Sequence, residues 1–572
     1  MKWFESGAGS FGPGFRLVAW FGVAVFAMTV SCKTPEEHLA EADKESYAII
    51  GEARKVAGQA ADPAFTIDSM GPRLRDGLLF PRPDDSQPGP AERLARGGKS
   101  VKVDLETALL IATRNSREFQ DEKERLYGSA LSLTGNWNNF SSQYFGTVEV
   151  GADANGDGLN DTTPSLQENG SLGFTRLIES GGSYSLNIGE DFTRFLTNPA
   201  GSVAGSLLNF TLSLPILRGA GREIAYENVI QSERDVVYAV RDFERFKRTY
   251  GVRVVSNYLQ LLRSWQRVEN EKSNLKRREL TAVENRALGE AGRIAITDVE
   301  RVNQSVLSAE TRLISAQQQF ESALDQFKLT LGLPVDARLE IDPIDLKRLR
   351  EAGTENLQFS QGDATKYGLK NRLDLATTDA RVQDARRTVV VAIDALRAGL
   401  DFQATAGLRS NDFAEETFKI DLLGDGNYSI SALLDLPFER VDERNAYRNS
   451  LINYDQSRRN AEEFEDQVKL QVRAALRNLR QAVEDNRIQG AAVKVAETNV
   501  DAANLLKAAG EGTTIDLVDA QNDLIDAQNA VTDALIDYRI ARLELMRDMG
   551  VLTIGPQGID EETTRRLLKL EE

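Results

Sequence analysis

The chain has 572 residues, 41% of them hydrophobic and 27% charged, the balance of a folded protein rather than a disordered one. Its 69 lysines and arginines against 87 aspartates and glutamates leave a net charge of −18, which argues against a nucleic-acid binder, since that would present a basic face. One cysteine, Cys32, and one histidine, His38, exclude an intrachain disulfide, a Cys/His zinc site and, in practice, thiol or Ser-His-Asp catalysis; carboxylate-only chemistry survives.

Lys2 and Arg16 precede an uncharged apolar run over 17–31. The run is shorter than the roughly 20 residues of a membrane-spanning helix, and its charged start and small-residue end describe an export signal, residues 1–31. The end, Met28-Thr29-Val30-Ser31-Cys32, resembles a bacterial lipobox, with Thr29 in place of the usual leucine-type residue. That resemblance implies cleavage before Cys32 and lipidation of its side chain and new N-terminus; Lys33 after it implies the outer membrane. No later segment is apolar for 18 residues, so a mature chain that crosses lipid does so as a closed β-barrel.

Residues 32–100 are expected to form a lipid-anchored, Pro-rich extension that acts as a tether. A polar helix is expected over 40–61, with His38 solvated. The proline-rich stretch 81–90 excludes a helix interior there.

From residue 101 a pattern runs through 101–345 and returns over 346–555, leaving 556–572 as a tail. Residues 298–332 align with 516–550 without a gap: Val306 with Leu524, Ala309 with Ala527, Phe320 with Tyr538, Gly332 with Gly550. Leu214-Pro215-Ile216 likewise matches Leu436-Pro437-Phe438. Each copy reads as a helix, strands, a Leu-Pro-apolar junction, a very long helix, a Gly-containing turn and a returning helix. In the returning helices apolar residues recur at alternating steps of 3 and 4, from Val299 to Phe327 and from Leu517 to Leu545, a heptad seam. A first helix is expected over 105–132. The long helices are expected over 221–288 and 445–509, each without proline, and need more helices to cover their seams.

Between the helices the composition turns to Gly, Ser, Thr, Asn and aromatics. Alternation marks strands at 144–152, 171–174, 184–188, 208–214, 400–408 and 428–436. A lipid-facing barrel uses such strands, and one copy has too few to close it, so closure needs several chains. The expected fold class is α+β, mainly helical: internally duplicated long antiparallel coiled-coil helices, with strands closing a transmembrane β-barrel shared between chains. Asp153, Asn155, Asp157 and Asp161 alternate around Gly156 and Gly158 in the first strand connection. They fit either a calcium loop or a polar external loop, the twelfth position being Pro164 rather than glutamate.

Over 101–552 the chain resembles the TolC-type outer membrane efflux proteins. Three features carry the resemblance: the turn Gly292-Arg293-Ile294-Ala295-Ile296-Thr297-Asp298-Val299; the run Asp516-Leu517-Val518-Asp519-Ala520-Gln521; and the repeated Leu-Pro junction. The resemblance implies a homotrimer in which the helices form one trimeric α-barrel and the strands one shared β-barrel, a duct with no catalysis and no cofactor. It implies docking on a periplasmic adaptor and an inner-membrane RND or ABC transporter. Asp516 and Asp519, sharing a helix face, would form stacked acidic rings at the periplasmic entrance. Thr297, Asp298, Arg293 and Lys507 would belong to the tip and gate, and Gly292 and Gly510 to the adaptor-docking tips. Gly512 and Lys507 stand where the family's closing arginine and tyrosine are expected, and an added strand pair around Glu179-Ser180-Gly181-Gly182 departs from four strands per chain. As helix-start carboxylates, Asp298, Asp516 and Asp519 also suit the helix dipole and can cap free N–H groups. The alternative is a lipid-anchored periplasmic coiled coil without a pore.

Overall fold

The computed structural model describes residues 33–60, 62, 65–67, 101–156, 162–195, 202–354, 360–410, 426–436, 438–555 and 558–559. Helix α1 (Pro35–Val56) starts at a capping box in which Thr34 and Glu37 bond each other's backbone N–H, with Pro35 in the first turn. It begins and ends about five residues before the expected 40–61, and it is not free. Ile50 and Ala53 are buried, Arg54 forms a 2.9 Å ion pair with Glu244, and Tyr47 packs on Phe65 and Tyr127. The extension therefore begins as a docked helix. His38 is exposed, as expected.

Strand β1 (Val101–Val103) pairs in parallel with β6 (Leu339–Ile341). The helix expected over 105–132 is two: α2 (Leu105–Asn115) and α3 (Arg117–Asn138). Ser116 makes the break with extended dihedrals (φ −66°, ψ 130°), ending one helix while its hydroxyl accepts the Phe119 N–H of the next. The second copy repeats the device, with Arg372 between α8 (Gln361–Asn371) and α9 (Leu373–Ala395). The other first-copy helices are α4 (Arg222–Ala225), α5 (Glu227–Glu290) and α6 (Ile296–Thr330), followed by the short α7 (Ile344–Ala352). The second copy ends with α10 (Val441–Ala509) and α11 (Thr514–Asp548), then the small strands β9 (Ile554–Gly555) and β10 (Gly558–Ile559).

At 64 and 69 residues, α5 and α10 extend about 96 and 104 Å at 1.5 Å per residue. Each returns along its hairpin partner, α6 or α11. The heptad seam is in the interface: Val302, Ala309, Ala316 and Phe327 are buried in α6, and Leu517, Ala534, Tyr538, Ala541 and Leu545 in α11. The chain does not cover every apolar side chain. Leu280, Val283, Leu307 and Ile314 on the first hairpin, and Leu470, Val495 and Leu505 on the second, are each 58–72% exposed. Among the described residues no helix is long and apolar enough to cross a membrane.

All six predicted strands exist and are longer than expected: β2 (Gln143–Gly156), β3 (Thr162–Leu177), β4 (Ser183–Phe195), β5 (Ser202–Pro215), β7 (Gly399–Ser410) and β8 (Gly426–Asp435). They form one antiparallel sheet in the order β2-β3-β4-β5-β7-β8, spanning both copies. Register places one apolar row across it. Tyr144 is opposite Phe174, which is opposite Leu186, then Phe210, Ala406 and Tyr428. The next register row, Phe145, Gly173, Asn187, Asn209, Gly407 and Asn427, is on the opposite face. The period-2 pleat thus separates an apolar face from a mostly polar one.

Candidate functional site

The two hairpins end in tips of different construction. At the first, α5 stops at Ala291, and Gly292 turns the chain with φ +69°. Helix α6 starts from Ala295 with no side-chain cap, so Asp298 sits in the first turn beside free N–H groups without capping them. Arg293 and Thr297 are exposed.

At the second tip, α10 ends on Gly510 in the left-handed conformation (φ +78°). Thr513 then caps α11 in a box with Asp516: the Asp516 N–H donates to Thr513 Oγ1 (3.2 Å), and the Thr513 N–H (2.9 Å) and hydroxyl (2.7 Å) donate to Asp516 Oδ2. The hydroxyl and N–H of Thr513 hold the Asp516 carboxyl below the usual carboxylate range. Asp516 is thus a helix cap within the chain, and the Thr-x-x-acid spacing was its signal. Asp519, one turn on, is exposed.

Lys507 donates to Glu284 at 3.0 Å, from the end of α10 to the end of α5. Among the described residues no hydrogen bond or ion pair joins it to Thr297, Asp298 or Arg293; the chain brings Lys507 to Glu284 instead. The Thr514 hydroxyl donates to Asn285 Oδ1 at 2.8 Å, beside that pair.

Sequence reasoning missed what lies behind the tip. Arg278 is 1% exposed, and its Nη2 donates to Asn522 Oδ1 (2.6 Å) and the Val518 carbonyl (3.0 Å), while Nε donates to Asn274 Oδ1 (3.2 Å). Arg312 on α6 donates to the same Asn522 oxygen at 3.0 Å. Further from the tip, Asn270 donates to Asn529 (2.7 Å), Arg267 pairs with Asp533 (3.1 Å), and Arg263 pairs with Asp533 and Asp537. Polar groups thus form an antiparallel ladder between α5 of the first copy and α11 of the second. Burial lowers the Arg278 pKa from the usual guanidinium value, with Asp519 pulling the other way.

Cys32, Asp157 and Asp161 lie outside the described residues. Asp153 and Asn155 fall within β2, paired with Ser165 and Thr163. Strand β2 therefore runs on into the expected calcium loop. Among the described residues no group of acids, His or Cys is placed to hold a metal.

No functionally curated protein matches the sequence. Solved structures do match in fold. VceC, an outer membrane protein of the bacterial pathogen Vibrio cholerae, is 14% identical with a TM-score of 0.56, over 78% of this chain and 96% of that one. The CmeC outer membrane channel of Campylobacter jejuni is 12% identical with a TM-score of 0.57, over 86% and 96%. The MtrE outer membrane channel of Neisseria gonorrhoeae in its open state is 14% identical with a TM-score of 0.56, over 78% and 88%. The model of the outer membrane efflux protein family matches residues 367–551, from α8 through Val551. Residues 367–551 are thus similar to the outer membrane efflux protein family, and over 78–86% of its length the chain takes the fold of these solved structures.

Proposed function

We propose that this protein is the outer membrane exit duct of a tripartite efflux pump or type I secretion system, a passive channel rather than an enzyme. The carrying observation is the sheet with one continuous apolar face, mounted on two helical hairpins whose long arms extend about 100 Å. An open sheet cannot stand in lipid with unpaired edges, and the hairpins leave apolar side chains uncovered. Both are resolved if three copies share one β-barrel in the outer membrane and one α-barrel across the periplasm.

Cys32 then carries the lipid anchor. The tips at Gly292 and Gly510 face a periplasmic adaptor coupled to an inner-membrane RND or ABC transporter. Asp516 and Asp519 ring the entrance, where crowded carboxylates favour cations. Asp298, Thr297 and Arg293 line the first tip, and Lys507 holds the second tip through Glu284.

The test is conductance in planar bilayers, wild type beside Asp516→Ala/Asp519→Ala. Small cation-selective channels, with selectivity reduced in the variant, support both the pore and the filter. Verified insertion of trimers with no current at any voltage rejects the open duct for the isolated protein and leaves a tightly gated duct awaiting its adaptor or a coiled-coil scaffold with no pore.

A further inference from the structure

We infer that the transmembrane barrel has eighteen strands, six from each of three copies, closed where β2 of one copy pairs antiparallel with β8 of the next. This closure rests on the trimeric duct proposed above and adds to it a strand count and a seam.

Four observations lead there. First, the six strands are one uninterrupted sheet, and among the described residues β2 and β8 are each paired on one side only. Edge N–H and C=O groups in hydrocarbon must find partners, and six strands are below the roughly eight of the smallest closed barrels, so a single chain cannot supply them.

Second, the edges match in direction. All five pairings within the sheet are antiparallel, so β8 runs opposite to β2. A neighbouring copy's β2 laid beside β8 continues the alternation, and three copies give an even strand number, as bacterial single-chain barrels have.

Third, the apolar face reaches both edges. Tyr144, Val148 and Val150 on β2 are 78, 57 and 56% exposed, and Tyr428, Ile430 and Leu434 on β8 are 56, 77 and 54% exposed. The opposite face is mostly polar near both edges, Phe145 and Leu433 excepted; there the Thr147 and Ser171 hydroxyls hydrogen-bond at 2.6 Å and those of Thr405 and Ser429 at 2.5 Å. A strand pair folded into the lumen or out into the periplasm would break this alternation.

Fourth, the additional hairpin is built into the wall. The turn at Glu179–Gly182 joins β3 to β4 with Gly181 and Gly182 at φ +95° and +92°, and a Cβ on Gly182 would lie 2.3 Å from the Ser213 carbonyl. Ser180 accepts the Gly221 N–H at 2.7 Å, and Glu179 pairs with Arg222 at 3.2 Å. The turn is thereby fastened to the start of the first long helical arm, level with the strand-to-helix junction.

An eighteen-stranded wall is about 36 Å across between backbones, against about 24 Å for twelve strands at the same spacing and tilt. The membrane segment is then wider than a twelve-stranded exit, which leaves the helical tip as the constriction.

The experiment is disulfide mapping in outer membranes, with copper-phenanthroline as oxidant and Cys32 retained as background. Val148→Cys on β2 is combined in turn with Tyr428→Cys, Ile430→Cys and Ala432→Cys on β8. Ile188→Cys on β4 is combined with the same set. The expected result is a covalent ladder ending at the trimer for at least one β2–β8 pair, and none for β4–β8 or for single variants. A trimer ladder from β4–β8 pairs would mean twelve strands and overturn the proposal while leaving the trimeric duct standing. A ladder ending at another copy number, or a β2–β8 link confined to the monomer band, overturns both. Absence of every link in protein shown by protease protection to be inserted overturns the β2–β8 seam.

Discussion

Arg278 Nη2 lies 2.6 Å from Asn522 Oδ1, a contact between the two sequence copies made where only 1% of the arginine is exposed. The same amide oxygen accepts from Arg312, so one side chain of α11 ties both helices of the first hairpin. A rotation of the second hairpin that widens the tip has to break this junction. Arg278→Met should leave Asn522 and Asn274 short of a donor and cost about 3 kcal/mol. Its channels should be larger in bilayers and its melting point lower. Asn522→Asp should act in the opposite direction on conductance, because a carboxylate between two guanidiniums binds both more strongly. Equal conductance in both variants would detach this junction from the opening movement.

Among the described residues, beside the Thr514–Asn285 hydrogen bond, Lys507 and Glu284 form the ion pair nearest the tips between the hairpins. Their side chains are 17% and 57% exposed, so solvent screening reduces the pair to about 0.5 kcal/mol. Charge reversal is more informative than truncation. Lys507→Glu should raise leak current at low ionic strength, with the difference fading as salt screens it. Adding Glu284→Lys should restore the wild-type current. A double variant as leaky as the single one would show that Lys507 acts through another partner.

The Thr513–Asp516 box separates capping from ion selection. Thr513→Ala should destabilise the start of α11 by about 1 kcal/mol and leave cation selectivity unchanged. Asp516→Asn, which still offers an oxygen to the cap but no charge, should lower selectivity with a smaller change in melting. Because Thr513 depresses the folded pKa of Asp516, the carboxylate's contribution is complete above its unfolded value of about 3.9. It is lost as pH falls through the lower folded value. Melting followed from pH 6 down to pH 2 should therefore show the Asp516→Asn and wild-type curves converging only at the acid end.

Much of this architecture is legible in the sequence, and the reason is periodicity. The seven-residue recurrence of Val302, Ala309 and Ala316 needs no partner to be recognised, and neither does the alternation of Leu208, Phe210 and Leu212. What escapes is set by contacts between distant residues. Arg54 meets Glu244, and Tyr127 donates to Asp43, across separations that no local pattern marks, so a polar helix reads as part of a tether. The α5–α11 ladder escapes for a different reason. Arg and Asn on a helix usually mean a solvated face. A signal is nonetheless present: Arg263, Arg267, Asn270, Asn274 and Arg278 recur at steps of 4, 3, 4 and 4, a polar stripe with the period of a packed seam.

The turns that close each copy should be far less tolerant than the tip glycines. Gly332 and Gly550 both have φ +73°, and a Cβ would lie 2.3 Å from the Asn115 carbonyl oxygen in one case and 2.7 Å from that of Asn371 in the other. Gly292 has φ +69° but open space around it. Gly292→Ala should therefore cost only the left-handed strain of about 1 kcal/mol, whereas Gly332→Ala adds a backbone collision and should cost more. Melting of the purified assemblies gives the order directly.

Which face of the sheet meets lipid can be tested by one charge placed on either side. Ile430 is 77% exposed on the apolar face, and its neighbour Ser431 is on the other. If the apolar face contacts hydrocarbon, Ile430→Arg near mid-strand should cost about 2–4 kcal/mol and sharply reduce insertion into membranes. Ser431→Arg should insert normally, because its side chain enters a water-filled lumen. It should also reduce cation current, since three copies add three positive charges to the wall. A preparation in which both variants insert equally well would mean that this sheet does not face lipid, and the reading as a membrane duct would fall with it.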